Sequence, residues 1–148
     1  MRFQWLLIYL VIMLAVSACG GDETPTVGTN VSFASACDEA NKGQRVAVTG
    51  YLRLPDSFSG DFSVVLRLFE TDRFDGTPIG ATVRLGTEAN QMENVPDSYT
   101  NDDLKVHLAD GQVIGYGTPV RVSGKVYYPV VEQDFVCGLE NLLIEAAN

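Results

Sequence analysis

The chain carries a single histidine, His107, and only three cysteines, Cys19, Cys37 and Cys137, in 148 residues. A serine or cysteine nucleophile needs a base beside it, and no Gly-x-Ser-x-Gly elbow accompanies His107 to present one. Basic residues are also scarce: ten Lys plus Arg face nineteen Asp plus Glu, a formal net charge of −9. Nucleic acid is therefore not an expected partner, because phosphate binding rests on clustered positive charge. Asp72-Arg73-Phe74-Asp75-Gly76 and the trio Asp97, Asp102 and Asp103 offer carboxylates, but neither has the spacing that organises a calcium loop. No metal or cofactor is expected. Long apolar runs are missing too: Leu6 to Val16 supplies eleven residues without a charge, whereas a membrane-spanning helix takes about 20.

What the chain does have begins with that short run. Arg2 precedes it and Gly20-Gly21-Asp22-Glu23 follows it, an arrangement suited to a cleaved leader rather than an uncleaved anchor. The junction Val16-Ser17-Ala18-Cys19 resembles the lipobox of bacterial lipoproteins. The resemblance implies that residues 1–18 are removed, that Cys19 becomes the lipidated N-terminus, and that the rest of the chain works at the extracytoplasmic face of the cell envelope. The membrane is then a partner through the lipid on Cys19.

With Cys19 acylated, Cys37 and Cys137 are the thiols left over, in a compartment where disulfides persist. They form the one intramolecular bridge available, with buried free thiols as the alternative. Such a loop gains roughly 4–5 kcal/mol in the chain-entropy model. Loss of Arg2 leaves nine basic against nineteen acidic residues, a balance that favours solubility outside the cell. Residues 19–31 read as the lipidated cysteine and a flexible tether; twelve such residues span about 20 Å. Residues 32–148 read as a single domain.

Ser32 is a helix-capping residue placed before Phe33, Ala36, Cys37 and Ala40, whose spacing predicts a short helix ending at Gly43. Beyond it the period shortens to two. Strands are predicted at 44–54, 62–70, 81–85, 104–108, 120–128 and, more weakly, 142–145, with Asp110-Gly111 as a hairpin turn. A helical turn around Glu88 to Glu93 is expected in the gap between Gly86 and Asp103.

One pattern recurs. Gly43-x-x-Val46-x-Val48-x-Gly50-x-Leu52 returns as Gly117-x-x-Val120-x-Val122-x-Gly124-x-Val126, each copy with a mid-strand glycine that permits a bend. Two strands bent alike, among about five in all, resemble the OB-fold, a small Greek-key barrel. The fold class expected is thus mainly β, with one short N-terminal helix; a β-sandwich is the alternative. The resemblance implies that residues 44–54 lie beside residues 119–128. It also implies a ligand face along the second and third strands, with Arg67, Phe69 and Arg84 as candidates and Tyr51 and Arg53 beside them. The competing account is that these outward charges only solubilise the strands and guard their edges. Tyr127, Tyr128, Pro129 and Val130, near Phe135, form a possible interaction edge or local packing around Cys137. Together these readings make the expected function a binding or envelope-accessory module for a protein or glycan, with an assembly component or a hydrolase as alternatives.

Overall fold

A computed structural model describes residues 23–147; the leader and Cys19 lie outside the described residues. In chain order the strands are β1 (Thr29–Asn30), β2 (Arg45–Arg53), β3 (Ser63–Phe69), β4 (Ile79–Leu85), β5 (Gln91–Met92), β6 (Val106–His107), β7 (Val113–Ile114), β8 (Pro119–Tyr127) and β9 (Gly138–Ala146). Five of them, β2, β3, β4, β9 and β8, pair in that order and return to β2, closing a barrel. All its seams are antiparallel except β4–β9, which is parallel and holds two residue pairs, Gly80 with Gly138 and Ala81 with Leu139.

The two-residue period explains the interior. Val46, Val48 and Leu52 on β2, Val64, Leu66 and Leu68 on β3, Val120, Val122 and Val126 on β8, and Leu139 and Ile144 on β9 are all buried in one apolar cluster. Removing such surface from water is the main favourable term in folding. Between β4 and β8 the short strands β5, β6 and β7 form a side patch whose Met92 and Val106, with Leu104 and Leu108, join that cluster.

The repeated motif meets itself. β2 and β8 pair antiparallel with Val48 opposite Val122, so Val46 faces Gly124 and Gly50 faces Val120. The two copies are related by a local two-fold axis through the Val48–Val122 pair. Gly50 lies where β2 leaves β8 for β3, and a side chain there would run into the Phe69 carbonyl. Gly124 lies at the irregularity between β8 and β9, where its added carbon would meet Leu142 and Leu139 at 2.6 and 2.8 Å. Glycine is needed at both places because the neighbouring strand passes too close for a side chain.

The single helix predicted from Ser32 is replaced by two 3-10 turns, Phe33–Ser35 and Glu39–Asn41. Ser32 does cap, accepting from the Ser35 amide at 3.2 Å. Asp38, however, is extended (φ −67°, ψ 143°) and starts a second turn without a side-chain cap. Neither turn is long enough to overcome the cost of helix nucleation. The helical turn expected at Glu88 to Glu93 is likewise a tight turn, Gln91 donating to the Glu88 carbonyl, followed directly by β5. Strand β9 is longer than its sequence signal, with Asn141 at φ 51° beside the bulge.

Residues expected in the tether take part in the sheet. Thr29 and Asn30 pair in parallel with Val46 and Ala47, and Val31 donates to the Ala47 carbonyl at 3.1 Å. Arg45 Nε donates to the Thr26 carbonyl, and Arg121 donates to the Asn30 side chain at 2.8 and 3.1 Å. Ala47, outward in the strand alternation, is buried as β1 runs alongside it.

Cys37 and Cys137 are joined, their Cα atoms 5.6 Å apart. The bridge ties the N-terminal turns to the residue that precedes β9, and the Cys137 carbonyl accepts from the Gly80 amide at 3.0 Å. Replacing both cysteines by alanine is expected to lower unfolding stability by up to about 5 kcal/mol. Urea denaturation checks this, and an unchanged midpoint contradicts it.

Candidate functional site

Strand register decides which expected ligand-face residues meet. Tyr51 pairs with Phe69 and Arg53 with Arg67, so these four are neighbours on the outer side of β2 and β3. Arg84 pairs with Ser63, at the opposite end of β3. The five candidates are therefore split into a group of four and a separate arginine.

Three of the four, Tyr51, Phe69 and Arg67, are covered by the protein's own loops. Phe69 is only 7% exposed, because Phe74 from the β3–β4 turn packs edge-on to it at 5.7 Å and to Tyr51 at 6.3 Å. Phe74 also stacks on Tyr116 at 4.6 Å with 14° between the rings. Phe74 has φ 54°, a left-handed backbone that a bulky side chain adopts only under constraint. Beneath it, the Thr71 hydroxyl donates to Asp75 at 2.9 Å. That bond, helped by Arg73 against some desolvation, holds the Asp75 carboxyl below its usual range. Neither Phe74 nor Tyr116 stood out in the sequence, since each lies in a turn and their contact spans distant segments.

Arg67 is clasped. Its Nε donates to Asp134 Oδ2 at 2.7 Å, a second guanidinium nitrogen lies 2.6 Å from Asp134 Oδ1, and Nη1 donates to the Val65 carbonyl at 2.6 Å. The Phe135 ring sits 4.9 Å from the guanidinium, a cation–π arrangement. The same ring fills the space a side chain at Gly80 would take, 2.8 Å from the added carbon. Tyr127 lies over Gly138 in the same manner, its hydroxyl 3.1 Å from Thr82 Oγ1. Glycines at 80 and 138 thus let two aromatic rings pack closely against the outside of the β4–β9 seam.

The loop 129–136 is consequently a strap over β3 and β4, with Arg67 as its anchor point. Of the expected interaction edge, Tyr127 is laid on the sheet and Tyr128 donates to the Cys37 carbonyl at 2.5 Å. Val130 and Val131 project outward, 104% and 71% exposed. Arg53 reaches Asp56 at 3.4 Å on an exposed surface, where such a pair contributes little.

Arg84 opens onto a different feature. A cleft of about 680 Å³ on the outside of β4 and β9 is walled by Ser63, Thr82, Arg84, Asn90, Gln91 and Asn141, among others. Asn90 (φ 62°) and Asn141 (φ 51°) are, with Phe74, the non-glycine residues of positive φ among those described. Asn90 is held there by its side-chain oxygen, which accepts from the Ile144 amide at 2.7 Å. His107 lies 3.0 Å from Glu93 and does not line this cleft. Among the described residues no three His, Cys, Asp or Glu side chains converge as they would around a metal ion.

No protein-family model, no curated protein and no solved structure matches the chain.

The hydrogen bond from Arg67, reinforced by its charge and opposed by partial desolvation, holds the Asp134 carboxyl below its usual range. A depressed carboxylate stabilises the folded form above the unfolded pKa, about 4, and that contribution is lost as pH falls through the lower folded value. Protection of the strap amides, taken relative to the free-peptide exchange rate at the same pH, is therefore expected to fall below about pH 4 in the native chain. Asp134→Asn is expected to show fast exchange already at neutral pH; a variant with native strap protection contradicts the clasp.

Proposed function

We propose that this protein is a lipid-anchored binding module of the bacterial cell envelope, carried on an OB-fold-like Greek-key barrel and exposed on the extracytoplasmic side. The observation that carries the reading is the Cys37–Cys137 bridge. It consumes two of the three cysteines and belongs to an oxidising compartment, leaving Cys19 at the end of a leader-like segment as the one thiol for a lipid. The barrel part rests on strand order: three consecutive antiparallel strands, closure through the parallel β4–β9 pair, and β8 lying between β9 and β2. That order is consistent with the OB-fold resemblance and not with a two-sheet sandwich.

The module acts by binding a protein or glycan partner and needs no cofactor. Its acidity makes nucleic acid a poor ligand. The strap's outward valines, Val130 and Val131, favour a second reading, an assembly component docked through that loop onto another envelope protein. The two differ in which residues a partner protects.

Expression of the full chain and of Cys19→Ser in a bacterium supplied with labelled fatty acid tests the anchor: label is expected in the native chain alone, and equal incorporation eliminates it. Crosslinking of the anchored chain in intact cells is expected to retrieve an envelope component. Retrieval that persists unchanged when Val130 and Val131 are both made serine excludes docking through the strap.

A further inference from the structure

The cleft beside Arg84 has a wall of mixed polar and apolar groups. The Asn141 amide, the Asn90 amide nitrogen and the Ser63 hydroxyl stand on its wall and are of the kind that match paired hydroxyl groups, while the Asn90 oxygen, Gln91 and Thr82 are engaged by Ile144, Glu88 and Tyr127. Arg84 supplies positive charge, but Glu23 and Glu88 stand on the same wall, which disfavours a phosphate-rich ligand. Pro25, Ala89 and Leu142 add apolar surface to the wall, comparable in extent to its polar surface. A volume of about 680 Å³ falls within the range of small-ligand clefts, roughly 300–1,000 Å³.

Two further observations mark this cleft. Asn90 and Asn141 are both held in the left-handed region on its wall, and backbone strain of that kind clusters at binding sites. The other is the path of the chain. Glu23, Thr24 and Pro25 form part of the wall, and the segment after them is tied down by Arg45, Arg121 and the pairing of Thr29 and Asn30. Four residue steps separate Glu23 from Cys19, a distance of at most about 14 Å. A lipid on Cys19 therefore keeps this cleft close to the headgroups.

The geometry points to this cleft as a binding site for an uncharged, hydroxyl-rich sugar presented at the membrane surface. The inference rests on the reading of the chain as an anchored binding module. The same sugar chemistry is available from a glycolipid headgroup or from a free glycan chain, and the test separates them.

The acylated full chain is placed in phosphatidylcholine nanodiscs, with or without galactosyl-diacylglycerol, and in a third sample with an N-acetylglucosamine tetramer in solution. Hydrogen exchange is followed in peptides covering 82–91 and 139–143, with 66–76 as the control. Slowing by about threefold or more in the two cleft peptides alone is expected with one of the probes. A response to the galactolipid assigns the headgroup as source, and a response to the tetramer assigns the glycan. Asn141→Gly keeps the left-handed backbone while removing the amide, and is expected to abolish the slowing. Cleft peptides indifferent to both probes, or slowing retained in Asn141→Gly, overturn the site. Fatty-acid label and crosslinked partner are read on the same preparation. An acylated chain that captures a partner with its cleft unperturbed loses this site and keeps the module.

Discussion

Closure of the β4–β9 seam is the constraint on which the rest of the structure depends. Two residue pairs in parallel register are a small ladder, and parallel pairing is slightly weaker per residue than antiparallel. The seam is reinforced from three sides. The Gly80 amide donates to the Cys137 carbonyl, the disulfide fixes Cys137 to Cys37, and Phe135 and Tyr127 cover the two glycines from outside. Without the seam, β4 and β9 would be open edges able to pair with other chains.

The same reinforcement shapes the surface. The strap that carries Phe135 also brings Asp134 to Arg67, so the loop that covers the seam occupies the outer face of β3. A partner seeking that arginine must displace a two-point carboxylate contact, a strong and directional arrangement. Further along β4, at Thr82 and Arg84, the outer surface forms a cleft walled by the N-terminal segment and the turn before β5. That cleft has the N-terminal residues Glu23, Thr24 and Pro25 on its wall.

Much of the barrel was legible because a two-residue period reports directly which side of a strand is buried. The matched copies at Gly43–Leu52 and Gly117–Val126 even implied their own pairing, seen as Val48 opposite Val122. The turns near Cys37 are not legible because apolar spacing at Phe33, Ala36, Cys37 and Ala40 fits a helix equally well, while the decisive residue, Asp38, acts through its backbone dihedral angles. At the site, sequence alternation placed Arg67 outward but carried no information about Asp134, whose contact spans 67 residues. Phe74 with Tyr116, and the cleft around Asn141, depend in the same way on tertiary closure. Neither has a local signature beyond an ordinary turn.

Residue-resolved hydrogen exchange, with the disulfide intact and then reduced, tests the claim about the seam most directly. Reduction is expected to strip protection first from Gly80 and Leu139, while Val48 and Val122 at the local two-fold axis stay protected. Loss of protection at the Val48–Val122 pair before or together with the seam would contradict the account.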